Sequence, residues 1–140
     1  MTTSGSRLAS RVVVDSSAYT HLSGDDARVR AHLAAADVIL VPVTVVGELE
    51  AGFAAGTRTR ANLQKLEEFL AEEGVEVVPI DRDVARRYGQ VFAQLRRAGT
   101  PISFNDMWIA ATTMAIGGHL LTFDRDFSRV AALDCTVLKP

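Results

Sequence analysis

Short apolar runs and amphipathic stretches alternate along the chain. Val12-Val-Val14 is too short for a helix and closes at the turn-forming Asp15-Ser-Ser, which predicts a buried strand passing into a helix. From Asp25 to Ala36 the residues favour helix, with Val29, Leu33 and Ala36 on one face, and Asp37 then opens a second apolar run, Val38 to Val41. Pro42 ends that strand. Thr44 is the expected cap of the next helix, whose apolar face carries Val45, Leu49 and Phe53 until Gly56 stops it. Thr57 to Glu73 reads as a long helix with Leu63, Leu66, Phe69 and Leu70 at helical spacing. Gly74 separates it from a third strand, Val75 to Ile80. Asp81 caps a helix that runs to Arg97 and breaks at Gly99-Thr-Pro101, after which Ser103-Phe-Asn-Asp106 opens another that lasts to Gly117. The closing pattern is a strand from His119 to Asp124, a short helix from Phe127 to Leu133 and a last strand from Cys135 to Leu138.

This alternation predicts an α/β fold with a mostly parallel central sheet of about five strands, covered by helices on both faces and joined by right-handed crossovers. A chain of 140 residues can bury a core in one domain without disulfides or a structural metal. That domain is expected over 11–140. Residues 1–10, small and polar, are expected as a short flexible tail, with no apolar segment of the kind that marks a secretory signal. The apolar runs, such as 37–42, fall far short of the roughly 20 residues that span a bilayer. Cys135 is the single cysteine, so an internal disulfide and a thiolate metal cage are both excluded, and a cytoplasmic location is expected. A net charge of −2 argues against the broad basic surface of a duplex DNA binder, while leaving room for a local basic patch. Lys65 and Lys139 are the only lysines. The other basic residues are arginines, suited to phosphate and carboxylate recognition, although nucleotide bias also produces an Arg- and Ala-rich chain.

The candidate chemistry lies in acids at the ends of these elements. Ligand sites in open parallel sheets form beyond the carboxyl ends of the strands, and Asp15 and Asp124 are each the first charged residue after an apolar run. Taken singly, each is also a natural helix cap or turn residue. Glu48 interrupts Val45-Val-Gly-Glu-Leu49 on the helix that begins at the same rim, where an exposed carboxylate near a helix N-terminus is the competing reading. Asp106 stands third after Ser103, in a pattern that also resembles a capping box. Four such acids would repel one another if brought together, and a hard divalent cation is the simplest way to neutralise them. Mg²⁺ is held by one or two carboxylates plus the phosphates of a substrate, and it activates water for attack on a phosphodiester.

The strings around these acids resemble those of the PIN-domain ribonucleases, in particular the VapC-like toxins of type II toxin–antitoxin pairs. Val12-Val-Val-Asp15-Ser-Ser-Ala matches the family's first strand and acid, and Glu48-Leu49-Glu-Ala-Gly52 its Glu-Leu pair followed by Gly. Asn105-Asp106-Met-Trp-Ile109-Ala-Ala111 and Leu120-Leu-Thr122-Phe-Asp124-Arg-Asp126-Phe127 match its two later stretches. Ser16-Ser17 departs from the Thr-Asn or Thr-Ser of many relatives but keeps a hydroxyl. The resemblance implies a PIN-like three-layer α/β/α fold and an RNA substrate cut to a 5′-phosphate and a 3′-hydroxyl. It implies Asp15, Glu48, Asp106 and Asp124 as catalytic ligands of Mg²⁺, with Mn²⁺ as a substitute, and Thr122 as a supporting hydroxyl. Asp126 is a further ligand or, on the competing reading, the cap of the helix at Phe127. A homodimer and a small cognate antitoxin protein that blocks the acidic pocket are also implied.

His21, His32 and His119 share no ligand spacing and read as surface or edge residues. Arg58 and Arg60 could guide RNA or bind an antitoxin, or simply open a solvated helix. Trp108 reads as a core or dimer-interface aromatic. A phospho-receiver domain is excluded because Asp81 opens a helix after the middle strand and the chain stops at Pro140. A haloacid-dehalogenase-type phosphatase is excluded because Asp124-Arg-Asp126 follows the fourth strand rather than the first. The remaining alternative is a nuclease-fold scaffold that binds a partner protein without catalysis.

Overall fold

The computed structural model describes residues 10–140. Residues 1–9 of the tail expected over 1–10 lie outside the described residues, and the expectation fails at its last residue. Ser10 is tied down: its N–H donates to Asp37 Oδ2 at 2.6 Å, and its carbonyl accepts from the N–H groups of Asp37 and Val38.

Five parallel strands form one sheet in the order β3-β2-β1-β4-β5: β1 (Arg11–Val14), β2 (Val38–Pro42), β3 (Val75–Val78), β4 (His119–Thr122) and β5 (Cys135–Val137). Between them run α1 (Ser16–Ser23), α2 (Ala27–Ala34), α3 (Val43–Ala55), α4 (Thr59–Leu70), α5 (Arg82–Ala98) and α6 (Phe104–Ala115), with a 3-10 helix at Arg125–Arg129. Successive strand residues face opposite sides of a sheet. Val12, Val13 and Val14 are all buried, so both faces of the central strand are covered, which is the three-layer arrangement expected. Leu120 and Leu121 repeat this on β4.

Several boundaries differ from the sequence pattern for local reasons. The helix expected from Asp25 starts at Ala27, because Asp25 takes a left-handed backbone (φ 63°) and Asp26 caps instead, accepting from Arg28 N–H. Thr44 is not a cap: α3 follows directly from Pro42, and the Thr44 hydroxyl is buried without a hydrogen-bond partner. The long helix expected over 57–73 is confined to Thr59–Leu70, where the Thr59 hydroxyl donates to the Phe53 carbonyl and turns the chain out of α3. In place of a helix over Phe127–Leu133 there is the 3-10 helix, started two residues earlier by the Asp124 cap. Gly118 is sterically required, since a Cβ there would lie 2.8 Å from Val13 Cγ2.

Candidate active site

From β1 the chain builds outward through β2 to β3, then returns to lay β4 and β5 on the other side. The connections leaving β1 and β4 therefore diverge, and a crevice opens at the carboxyl ends of these two neighbours. The register pairs Val14 with Leu121. One step further, Asp15 comes level with Thr122.

Asp15 is buried, only 4% exposed, and its carboxylate is held from three directions. Oδ1 accepts from Ala18 N–H at 2.9 Å, the capping bond of α1, and from the Ser17 hydroxyl at 2.7 Å; Oδ2 accepts from the Thr122 hydroxyl at 2.5 Å. Both hydroxyls also accept: Ser17 Oγ from Phe123 N–H at 3.0 Å, Thr122 Oγ1 from Asp124 N–H at 2.9 Å. A hydroxyl has one proton, so each is committed to Asp15 and the two stitch the exit of β1 to that of β4. Burial pushes the Asp15 carboxyl up, the Thr122, Ala18 and Ser17 hydrogen bonds pull it down, and the Asp124 charge pushes it up again, with a net rise.

Glu48 and Asp106 reach the same rim from helices. Glu48 lies in the second turn of α3, which leaves the carboxyl end of β2; its Oε1 is buried with no hydrogen-bond partner. Burial raises its pKa, the Asn105 side chain opposes this, the Asp15 charge adds to the rise, and Ser16 opposes it. α6 runs back toward the start of β4, so its N-terminus sits at the carboxyl rim. Ser103 caps it by accepting from Asp106 N–H at 3.1 Å. The Asp106 carboxyl is pushed up to about 6, first by burial, against the Ser103 hydroxyl, and then by the charges of Asp124, Glu48 and Asp15. Asp106 thus senses the other three acids, and among the described residues no lysine or arginine contributes to any of these shifts.

The competing readings of the acids prove to be largely true as well. Asp15 caps α1, Asp124 caps the 3-10 helix through Asp126 N–H at 2.9 Å, and Asp106 belongs to the Ser103 cap. Asp126 is not the cap of a helix at Phe127. It stands inside the 3-10 turn, 3.4 Å from Arg129. Two contributors lie within the acid motifs but outside the candidate site residues: Ser17, signalled only by a hydroxyl two residues after the strand-end acid, and Asn105, the neighbour of Asp106. Trp108 packs on Tyr88 of α5, ring centroids 3.9 Å apart.

Among the described residues, no three His, Cys, Asp or Glu side chains are closed into a ready-made metal cage. The donors do fit a hard cation that keeps much of its water: all are carboxylate oxygens, three acids have raised pKa values, and Glu48 Oε1 is buried and unpaired.

The model of the PIN-domain family matches residues 12–133, a span holding all these acids. The chain belongs to the PIN-domain family. Among the relatives of this PIN domain, ribonuclease VapC5 of Mycobacterium tuberculosis is 32% identical over 98 residues, 70% of each chain. The VapC ribonuclease Y4jK of Sinorhizobium fredii is 33% identical over 102 residues, 70% of this chain and 73% of that one. Among solved structures, VapBC2 from Rickettsia felis, bound to a DNA fragment from its promoter, superposes with a TM-score of 0.83 at 20% identity, over 92% of this chain and 99% of that one. A VapBC-5 structure from Mycobacterium tuberculosis gives 0.68 at 24% identity, over 94% and 99%. These similarities show the PIN-like α/β fold.

Proposed function

We propose that this PIN domain is a Mg²⁺-dependent endoribonuclease, the toxin of a toxin–antitoxin pair, which hydrolyses RNA phosphodiester bonds and so inhibits translation and growth. The observation that carries this reading is the geometry of the rim, where buried Asp15 is tied through Thr122 to the turn at Asp124 and Glu48 Oε1 lies buried and unpaired, with the charges of all three acids raising the Asp106 pKa. A scaffold that only bound a partner would gain nothing from such a repelling set. The relatives named VapC ribonucleases support the same conclusion.

Asp15, Glu48, Asp106 and Asp124 would hold the cation, with Mn²⁺ as a substitute and Asp126 as a further ligand once freed from Arg129. Such an ion supplies charge neutralisation and an activated water when bound. Asp15 is aimed by Ser17 and Thr122, which occupy three acceptor positions together with Ala18 N–H and leave the carboxylate room for one more partner. Asp106, pushed up to about 6 by burial and by the charges of Asp124, Glu48 and Asp15, is the acid whose charged form a bound cation would favour most.

A small cognate antitoxin covering the acidic rim and a homodimer complete the proposal. Several structural neighbours were solved as toxin–antitoxin complexes. Phe104, 66% exposed beside Asn105 and Asp106, borders a mostly apolar groove of about 440 Å³ with Phe92, Ile102 and Met107, a surface suited to a protein partner.

The purified protein is expected to cut a structured RNA with Mg²⁺ or Mn²⁺ and to stop with EDTA, and Asp106→Asn to abolish cutting while keeping the fold. Undiminished cutting by that variant would refute the assignment.

A further inference from the structure

An aromatic stack flanks the acidic rim and takes no part in the chemistry above. Phe123, the residue before Asp124, lies flat against His21, ring centroids 3.6 Å apart and planes 12° apart. The Arg28 guanidinium sits 5.3 Å from the centre of the same ring. Asp26 holds both partners. Its Oδ2 lies 3.1 Å from His21 Nδ1, and its two oxygens accept from Arg28 Nε at 3.2 Å and Nη2 at 2.9 Å. Arg28 Nη1 donates to the Lys139 carbonyl at 2.7 Å. These bonds use three of the five guanidinium N–H groups on a side chain that is 49% exposed. The imidazole is 34% exposed.

The stack is tied to the acids. His21 lies one helical turn after Ser17 on the same face of α1. Ser17 Oγ in turn accepts from Phe123 N–H and donates to Asp15. Arg125, two residues after Phe123, is exposed and makes no ion pair among the described residues.

We propose that His21, Phe123 and Arg28 form the nucleotide-binding platform of this site. Arg28 binds a backbone phosphate of single-stranded RNA next to the bond that is cut, and the exposed side of the His21 ring, backed by Phe123, stacks on the adjoining base. The inference rests on the ribonuclease reading. A carboxylate rim repels RNA, so cations must lie beside it, and base stacking on an aromatic ring tolerates any sequence. A docked protein helix would call for apolar surface, yet none of the exposed large apolar side chains among the described residues, Val43, Val77, Ile80 and Phe104, belongs to the His21–Phe123–Arg28 stack.

The test is anisotropy of a short fluorescein-labelled single-stranded RNA titrated with the full chain in EDTA, so that nothing is cut, over a salt series. Arg28→Gln and His21→Gln are each expected to weaken binding about tenfold. Arg28→Gln also flattens the salt dependence by about 0.7 in log–log slope. With Mg²⁺ and sub-saturating RNA, the cleavage rate of each variant is expected to fall by about the same factor as its affinity. Arg86→Gln, which removes an arginine paired with Asp83 on α5, leaves affinity unchanged. If thermal unfolding shows Arg28→Gln misfolded, Arg28→Lys, which keeps charge but not the planar fork, is expected to lose part of the affinity. Wild-type affinity in both histidine and arginine variants, with cutting intact, overturns the platform and leaves the ribonuclease reading standing. A defect seen only in binding a protein partner overturns it equally. Absence of both binding and cutting by the unaltered chain overturns the ribonuclease reading.

Discussion

Asp106→Asn is expected to make the metal-free protein more stable at neutral pH while destroying its activity. The Asp106 carboxyl is pushed from its ordinary 3.8 to about 6, by burial and then by the charges of Asp124, Glu48 and Asp15, against the Ser103 hydroxyl. Between those values the folded protein keeps a proton that the unfolded chain has released. Stability therefore falls as pH rises through this window, and above about 6 the group is a constant penalty. Converted at about 1.36 kcal/mol per pH unit, the interval corresponds to about 3 kcal/mol, and partial exposure reduces it to roughly 1–2 kcal/mol. Asn has the shape of the acid without its charge. It forgoes about 0.3–1 kcal/mol of interaction with the α6 dipole, so the net gain at neutral pH is about 1 kcal/mol, or roughly 3 °C in Tm. Thermal unfolding in EDTA from about pH 4 to pH 8 should show the variant ahead at the upper end and the gap closing at the lower. Added Mg²⁺ should raise the wild-type Tm more than that of the variant. A variant no more stable than wild type at neutral pH, or a gap that is constant with pH, would refute the reasoning.

Thr122→Val removes the hydroxyl that donates to Asp15 and accepts from Asp124 N–H, so it should cost about 1–3 kcal/mol by thermal unfolding. It should also lift the Asp15 pKa further and move the acid limb of the cleavage profile to higher pH, whereas Thr122→Ser should retain both properties. Gly118→Ala drives a Cβ to 2.8 Å from Val13 Cγ2 and should lower the urea midpoint by the equivalent of about 1–3 kcal/mol with an unchanged m-value.

How much of this was legible in the sequence follows from the range over which each signal acts. The strands and helix faces were readable because burial imposes a pattern on neighbouring residues, as in Val12 to Val14 and Val29 with Leu33, whereas the order of the strands in the sheet was not. Thr44 misled because a cap depends on where the chain turns. Pro42, still paired with Val78 in the sheet, lets α3 start at once and strands the hydroxyl in the interior. The stack of His21 on Phe123 had no sequence signal, since it joins α1 to the exit of β4 across 102 residues. The acids are the instructive case. Weighed singly, Asp15, Asp106 and Asp124 could be helix caps or functional residues, and the structure shows that capping does not exclude convergence. An acid that caps a helix is held by that helix's own N–H groups, as Asp15 is by Ala18 and Asp124 by Asp126. Its carboxylate is fixed by local chain geometry before any ion or substrate arrives. Two such ends meeting at one switch point place like charges together without relying on attraction among them, and their repulsion is borne by the buried strands behind them.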